Sequence, residues 1–230
     1  MQYEDKVLHF AVLSRVMKRL SSTSHAVLGL LSIRPWTAYE LSKQVKRSLA
    51  FCWPRAERGI YYEPKKLVEH ELATATTDDR ERTVYKITRK GRATLARWLR
   101  EPSVPPRFES EAMLRVLFAD NGTKEELLAA IRSVRDHAGV LRAQAEQVIQ
   151  GYVDGRGPFP ERIHIITLTG KFNIDYIAML ERWADWAEDL VMKQWTDTSA
   201  PAGFPGAWEV FPTLLDELAA SAAERKPRSP

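Results

Sequence analysis

Ala73-Thr-Ala-Thr-Thr77, Asp78-Asp-Arg-Glu81 and Arg82-Thr-Val-Tyr-Lys-Ile87 follow one another as two β-capable runs around a charged tip. Such an arrangement forms a β-hairpin. Upstream of it, Ser24 is expected to cap a short helix carrying Val27, Leu30 and Leu31. Thr37-Ala-Tyr-Glu40 has the form of a capping box just after Pro35, and the helix it opens places Leu41, Val45 and Leu49 on one face at spacings of four. A third helical pattern covers about 55–72, with Ile60, Leu67 and Val68 as its apolar side. After the hairpin, Thr88 caps a helix through Arg100 with Leu95 and Leu99 turned inward. Three short helices, a hairpin and a further helix within about eighty residues make the order of a winged helix-turn-helix, with the hairpin as a two-stranded wing.

Charge divides the 230 residues in the same place. The net +4 splits into +2 over 1–20, +7 over 21–101 and −5 over 102–230. A basic segment joined to an acidic one suits a nucleic-acid-binding module carried on something else, or else a fluctuation in a mixed surface. The longest charge-free stretch, Leu20–Ile33, is fourteen residues, too short for a membrane span. One cysteine, Cys52, excludes a disulfide framework and any multi-cysteine metal site, and it reads as a small buried residue. The five histidines share no metal-ligand spacing, and the chain has no phosphate loop or nucleophile elbow. Neither an enzyme nor a bound cofactor or metal is expected. A cytoplasmic protein without a membrane association is.

The prolines Pro102, Pro105 and Pro106 mark the domain boundary. The expected division is an N-terminal helical extension (1–20), the winged helix-turn-helix (21–101), a Pro-rich linker (102–108), a helical dimerisation domain (109–223) and a disordered tail (224–230). Thr123-Lys-Glu-Glu126 is a second capping box. It opens a helix with Leu127, Ile131, Val134, Ala138, Leu141, Ala145, Val148 and Tyr152 at alternating spacings of 4 and 3, a heptad seam. A second long helix over about 160–195 carries two apolar stripes. Ile166, Ile177, Leu180, Ala184 and Val191 form one; Leu168, Phe172, Tyr176, Met179, Trp183, Trp186 and Leu190 form the other. One neighbour cannot bury both, so the second is covered by another copy of the chain or by the chain's own terminal helices. Phe172, Ile177, Leu180 and Val191 are the expected dimerisation residues.

The first hundred residues resemble the PadR family of transcriptional regulators, in its longer form with an extended helical C-terminal domain. The resemblance is carried by His25-Ala-Val-Leu-Gly-Leu-Leu31, Tyr39-Glu-Leu41, Phe51-Cys-Trp-Pro54, Ile60-Tyr61 and Glu63-Pro-Lys-Lys-Leu67. It continues through Thr83-Val-Tyr-Lys-Ile-Thr88, Gly91-Arg92 and Trp98-Leu-Arg-Glu-Pro102, and more loosely through Glu111–Phe118 and Gly122–Glu125. It implies a homodimeric winged-helix repressor with one recognition helix and one wing per subunit. Three features depart from the family pattern. Glu71 stands where glycine commonly precedes the Leu that enters the wing; in a left-handed conformation it would cost on the order of 1 kcal/mol. Pro64 lies inside the third helix, where a bend is expected. Residues 1–20 precede the usual start, and read either as a dimer-embracing helix or as upstream of an initiator at Met17.

The mainly α fold then assigns roles. On the third helix Arg58, Tyr61, Tyr62, Lys65 and Lys66 lie away from the apolar side and can read a major groove, although Tyr61 could equally be core. Arg55 and the amides near the helix start can hold a phosphate. In the wing Arg80 and Arg82 are placed for phosphates or the minor groove, while Asp78, Asp79 and Glu81 would be repelled there. The expected partner is double-stranded DNA with a pseudo-palindromic operator, bound by a homodimer; a winged-helix protein-interaction module is the alternative. Trp183 and Trp186 form either core or the site of a flat apolar or aromatic effector.

Overall fold

The computed structural model describes residues 20–49, 52–53, 59–198 and 207–223. Arg55, Arg58, the 1–19 extension and the 224–230 tail lie outside the described residues. The chain divides into two compact units, Met1–Pro106 and Arg107–Pro230.

The first unit opens with α1 (Ser22–Ile33). Its cap is Ser21, three residues before the expected Ser24. Ser24 instead completes the capping box from inside the helix, its backbone N–H donating to Ser21 Oγ at 3.0 Å while its own Oγ accepts from Ser21 N. β1 (Trp36–Thr37) leads into α2 (Ala38–Ser48), whose Thr37–Glu40 box forms as the residues dictate. Thr88 caps α4 (Arg89–Trp98) by accepting from Gly91 N at 3.0 Å. That helix stops two residues early, which leaves Leu99 69% exposed rather than inward.

The third helical pattern is broken. A turn at Gly59–Tyr62, closed by Tyr62 N donating to Gly59 O at 2.9 Å, precedes a separate helix α3 (Glu63–Glu69). Pro64 therefore sits at the second position of a helix, where no intrahelical partner for an N–H exists, and it bends nothing. The helix ends in a Schellman motif: Leu72 N donates to Leu67 O at 2.8 Å and Glu71 N to Val68 O at 2.9 Å. Glu71 takes φ 61°, the left-handed conformation that glycine would adopt freely.

β2 (Ala73–Thr77) and β3 (Thr83–Ile87) pair antiparallel from Ala73↔Ile87 to Thr77↔Thr83, giving the two-stranded wing. β1 adds a short third strand on the far side of β3, Trp36 opposite Tyr85. Val27, Leu28, Leu31, Leu41, Val45, Ile60, Leu67 and Tyr85 fill the core beneath, and the buried Trp36 indole donates to Leu30 O at 2.7 Å.

The second unit is built on two long helices. A short α5 (Glu111–Leu117) precedes α6 (Lys124–Val153), which the Thr123–Glu126 box opens. A left-handed Gly155 ends α6, and α7 (Ile163–Gln194) returns antiparallel to it. The heptad seam of α6 meets the first stripe of α7 in two clusters. Leu127, Leu128 and Ile131 pack with Ala184, Ala187 and Val191; Val134, Ala138 and Ala145 pack with Ile177 and Leu180. Along one rim Arg132, Arg135 and Arg142 of α6 pair with Glu188, Asp185 and Glu181 of α7, Arg132 Nε lying 2.6 Å from Glu188 and Arg135 Nε 2.9 Å from Asp185. These arginines hold the Glu181 and Glu188 carboxyls below the ordinary glutamate range. Finally α8 (Ala207–Ala223) carries Trp208, Phe211, Leu215 and Leu218 exposed.

Candidate nucleic-acid interface

α3 is short, and its orientation comes from what grips its first turn. Ile60, Pro64 and Leu67 are fully buried. The Glu63 carboxylate accepts the hydroxyl of the fully buried Ser24 at 2.6 Å and that of Ser21 at 3.5 Å. This one side chain joins the starts of α1 and α3, and a carboxylate is favoured at a helix start by the exposed amides there. Glu63 was legible only as part of a motif. An acid and a proline opening a helix, with two serines three apart upstream, is the signal that could have found it.

With the inner side so anchored, Tyr61 is 52% and Tyr62 76% exposed, which excludes Tyr61 from the core. Lys65 is exposed as well, whereas Lys66 is half-buried, its ammonium 3.8 Å from Glu63. Lys66 is therefore partly committed to the scaffold. α2 contributes cations that the pattern of the residues did not single out: Lys43, its ammonium 4.6 Å from the Tyr39 ring centroid, and exposed Lys46 and Arg47 in the last turn.

At the wing tip the two expected contact residues differ. Arg80 is exposed. Arg82 is held by Asp78, whose Oδ2 accepts from Arg82 Nε at 2.9 Å and from Nη2 at 2.7 Å. The same carboxylate shapes the turn: its Oδ1 accepts the backbone amides of Arg80 at 3.0 Å and Arg82 at 2.9 Å. Asp78 is thus the organiser of the tip. Arg82 is not the open cation that its position implied.

The C-terminal helices correct the expected dimerisation residues. Ile177, Leu180 and Val191 are covered by α6 of the same chain, so they belong to the protomer core and not to a contact between copies. Only Phe172 of the expected four stands out, 66% exposed, in line with exposed Leu168, Met179 and Trp186. Trp183 packs against both core clusters, while Trp186 is 48% exposed. A groove of about 410 Å³ lies elsewhere, between α5 and the start of α6, lined by Leu114, Arg115, Phe118, Gly122, Glu126 and Leu127 among others. Among the described residues no group of three or more His, Cys, Asp or Glu could hold a metal, and no helix is long and apolar enough to cross a membrane. Cys52 is exposed, contrary to the burial expected of it.

No protein-family model matches the chain. Over 87 residues, 36% of its length, it is 33% identical to the probable transcriptional regulator Rv1176c of Mycobacterium tuberculosis, covering 46% of that protein. Over 107 residues, 44% of its length, it is 29% identical to the negative transcriptional regulator PadR of Bacillus subtilis, covering 59%. The match thus spans about half the length of these curated relatives. In three dimensions the chain is similar to the PadR-like transcriptional regulator BC1756 from Bacillus cereus, with a TM-score of 0.63 at 15% identity over 74% of this chain and 98% of that one. It is also similar to Bacillus subtilis PadR in complex with operator DNA, with a TM-score of 0.61 at 22% identity over 74% and 99% of the two chains. The fold is PadR-like.

The same Bacillus subtilis protein has been solved with p-coumaric acid, and that structure matches with a TM-score of 0.57 at 21% identity over 74% and 98% of the chains. The PadR-like match takes in nearly all of each of these structures and about three quarters of this chain. Many of the residues carrying the PadR resemblance build scaffold. His25 stacks on Trp98 at 4.8 Å, and burial against it pushes the imidazole below its ordinary value. The Trp53 indole donates to Thr23 at 3.1 Å.

Proposed function

We propose that the chain is a sequence-specific DNA-binding transcriptional regulator, a homodimeric repressor that occupies a pseudo-palindromic operator and performs no chemistry. The observation that carries this reading is the outer side of α3. Lys65 stands exposed on a helix whose opposite side is buried and pinned through Glu63, and Tyr61 and Tyr62 stand exposed in the turn that leads into it, in a fold whose Bacillus subtilis representative was crystallised with operator DNA. Lys65 would read base edges, and Arg80, Lys43, Lys46 and Arg47 would meet phosphates. Arg55 and Arg58 remain in the proposal on their residue type alone. The exposed stripe Leu168, Phe172, Met179 and Trp186 supports pairing of two copies through α7. Control by an apolar or aromatic small molecule is supported by the p-coumaric acid complex of Bacillus subtilis PadR and by the α5–α6 groove. A cytoplasmic location belongs to the same reading.

The test begins by sequencing duplex DNA that co-purifies with the protein, then titrating the recovered site and a scrambled duplex at several salt concentrations. Specific binding should fall steeply with salt. Arg80→Ala should weaken both duplexes alike. Lys65→Ala should change the preferred base at one position of each half-site, at a cost of about 1–3 kcal/mol there. Failure to retain any duplex at low salt would overturn the function. Equal effects of the two substitutions on both duplexes would remove Lys65 from the recognition side.

A further inference from the structure

From the geometry of the wing tip we infer that Asp78 is a brake on DNA binding: it holds the Arg82 guanidinium on its own carboxylate and so withholds from the phosphate backbone a cation the wing already carries. The inference rests on the DNA-binding function proposed above and names a residue that limits affinity within it.

The carboxylate does two separable things. Oδ1 accepts the amides of Arg80 and Arg82, and the turn is closed further by Asp78 N donating to Arg82 O and Glu81 N to Asp78 O, both at 3.0 Å. This needs an acceptor oxygen but no charge. Oδ2 takes both Nε and Nη2 of Arg82, and this needs the charge, because a neutral oxygen holds a guanidinium far more weakly. The tip Asp78-Asp79-Arg80-Glu81-Arg82 has three acids and two bases, so with Arg82 engaged on Asp78 it presents one arginine beside two acids, a net charge of −1. Such a tip repels phosphate within a Debye length.

The pair also has the properties of a brake and not of a block. Arg82's side chain is 53% exposed, so a phosphate can reach the guanidinium. An exposed ion pair of this kind is weak, and exchange of carboxylate for phosphate is accessible. The Arg82 side chain and amides keep the Asp78 carboxyl below its ordinary range, so the brake is charged throughout the neutral pH range.

Asp78→Asn separates the two tasks, since the carboxamide oxygen can still accept both amides. It should bind a random duplex several-fold tighter than wild type. The slope of log affinity against log salt should steepen by about 0.9 per wing, one additional phosphate contact. Asp78→Ser, whose hydroxyl can accept the same amides, should behave likewise and guards against a folding defect peculiar to asparagine. Adding Arg82→Gln to either should abolish the gain. Unchanged affinity and slope in both single variants would overturn the brake, as would a gain that survives Arg82→Gln, because it would then come from the lost acid alone. If wild type and both variants retain no duplex at low salt, the DNA-binding function falls and the brake with it; binding without a change in slope overturns the brake alone.

Discussion

Gly91→Ala should unfold the N-terminal unit at temperatures where the wild type is intact. A Cβ built on Gly91 lies 2.1 Å from Leu72 O and 2.8 Å from Ile87 Cγ1, distances that no real side chain tolerates. Neither neighbour can retreat easily. Leu72 O accepts Thr88 N at 3.0 Å, and Leu72 itself is held by the Schellman bond to Leu67. Moving α4 away with its cap would instead break the bonds from Thr88 N to Leu72 O and from Thr88 Oγ1 to Glu71 O, at 3.0 and 2.8 Å. Overpacking against side chains costs about 1–3 kcal/mol, and a clash with hydrogen-bonded backbone belongs at or above the top of that range. For a unit of this size the loss corresponds to a fall in melting temperature of roughly 10 °C or more. Circular dichroism melting measures it directly. A variant melting within about 2 °C of wild type would mean that α4 does not approach the Leu72 carbonyl as described.

The second large effect separates the two stripes of α7. Leu180→Asp should destroy the C-terminal unit, because Leu180 is buried among Val134, Ala138 and Ile177 of the same chain. Losing the leucine alone costs about 2–5 kcal/mol, and an unpaired buried carboxylate adds to it. Phe172→Asp, at a position two-thirds exposed, should leave the helix content and the melting temperature near wild type. If copies pair through the exposed stripe, it should also convert dimer to monomer in light scattering. A folded Leu180→Asp protein would contradict the α6–α7 packing. A dimeric Phe172→Asp protein would move the pairing surface off this stripe.

Much of this fold was legible in short-range pattern. Thr37, Thr88 and Thr123 cap where a threonine meets the start of a periodic run, and the wing follows from two β-capable runs around a charged tip. The heptad positions Leu127, Ile131, Val134, Ala138 and Ala145 are buried in α6, joined there by Leu128 and Ala130, which lie off the heptad. What spacing could not tell was which stripe of α7 the chain covers itself. Both stripes have helical period. The covered one carries Ala184 and Ala187, which let helices approach closely, and it is edged by Glu181, Asp185 and Glu188 opposite the α6 arginines. That charge match was present in the residues and is the cue that would have assigned Ile177, Leu180 and Val191 to the protomer. The hydrogen bond from Ser24 to Glu63 joins residues 39 apart, and no local rule reaches that far. Asp78 and Arg82 meet only because the hairpin tip closes, so a reading by residue type counted Arg82 as open to DNA.

The rim pairs of α6 and α7 also bear on how this unit assembles. Arg142 and Glu181 are 39 residues apart in the chain, Arg132 and Glu188 are 56, and the Lys124–Trp195 bond spans 71. The separation grows steadily away from the turn near Gly155, and the entropy of closing a loop grows with it. Contacts of this nested kind zip outward from the turn, so register is set there and each later pair finds its partner already close. The opposite end, where Lys124 donates to Trp195 O and Thr198 to Gly122 O, closes last and opens first. Amide exchange should accordingly be fastest near Leu127 and slower toward Ala145, the buried position of α6 nearest the turn, and uniform protection along α6 would contradict this order. The free end of the zipper is also the end that holds the α5–α6 groove, so a small molecule seated there would meet the part of the unit that is cheapest to loosen.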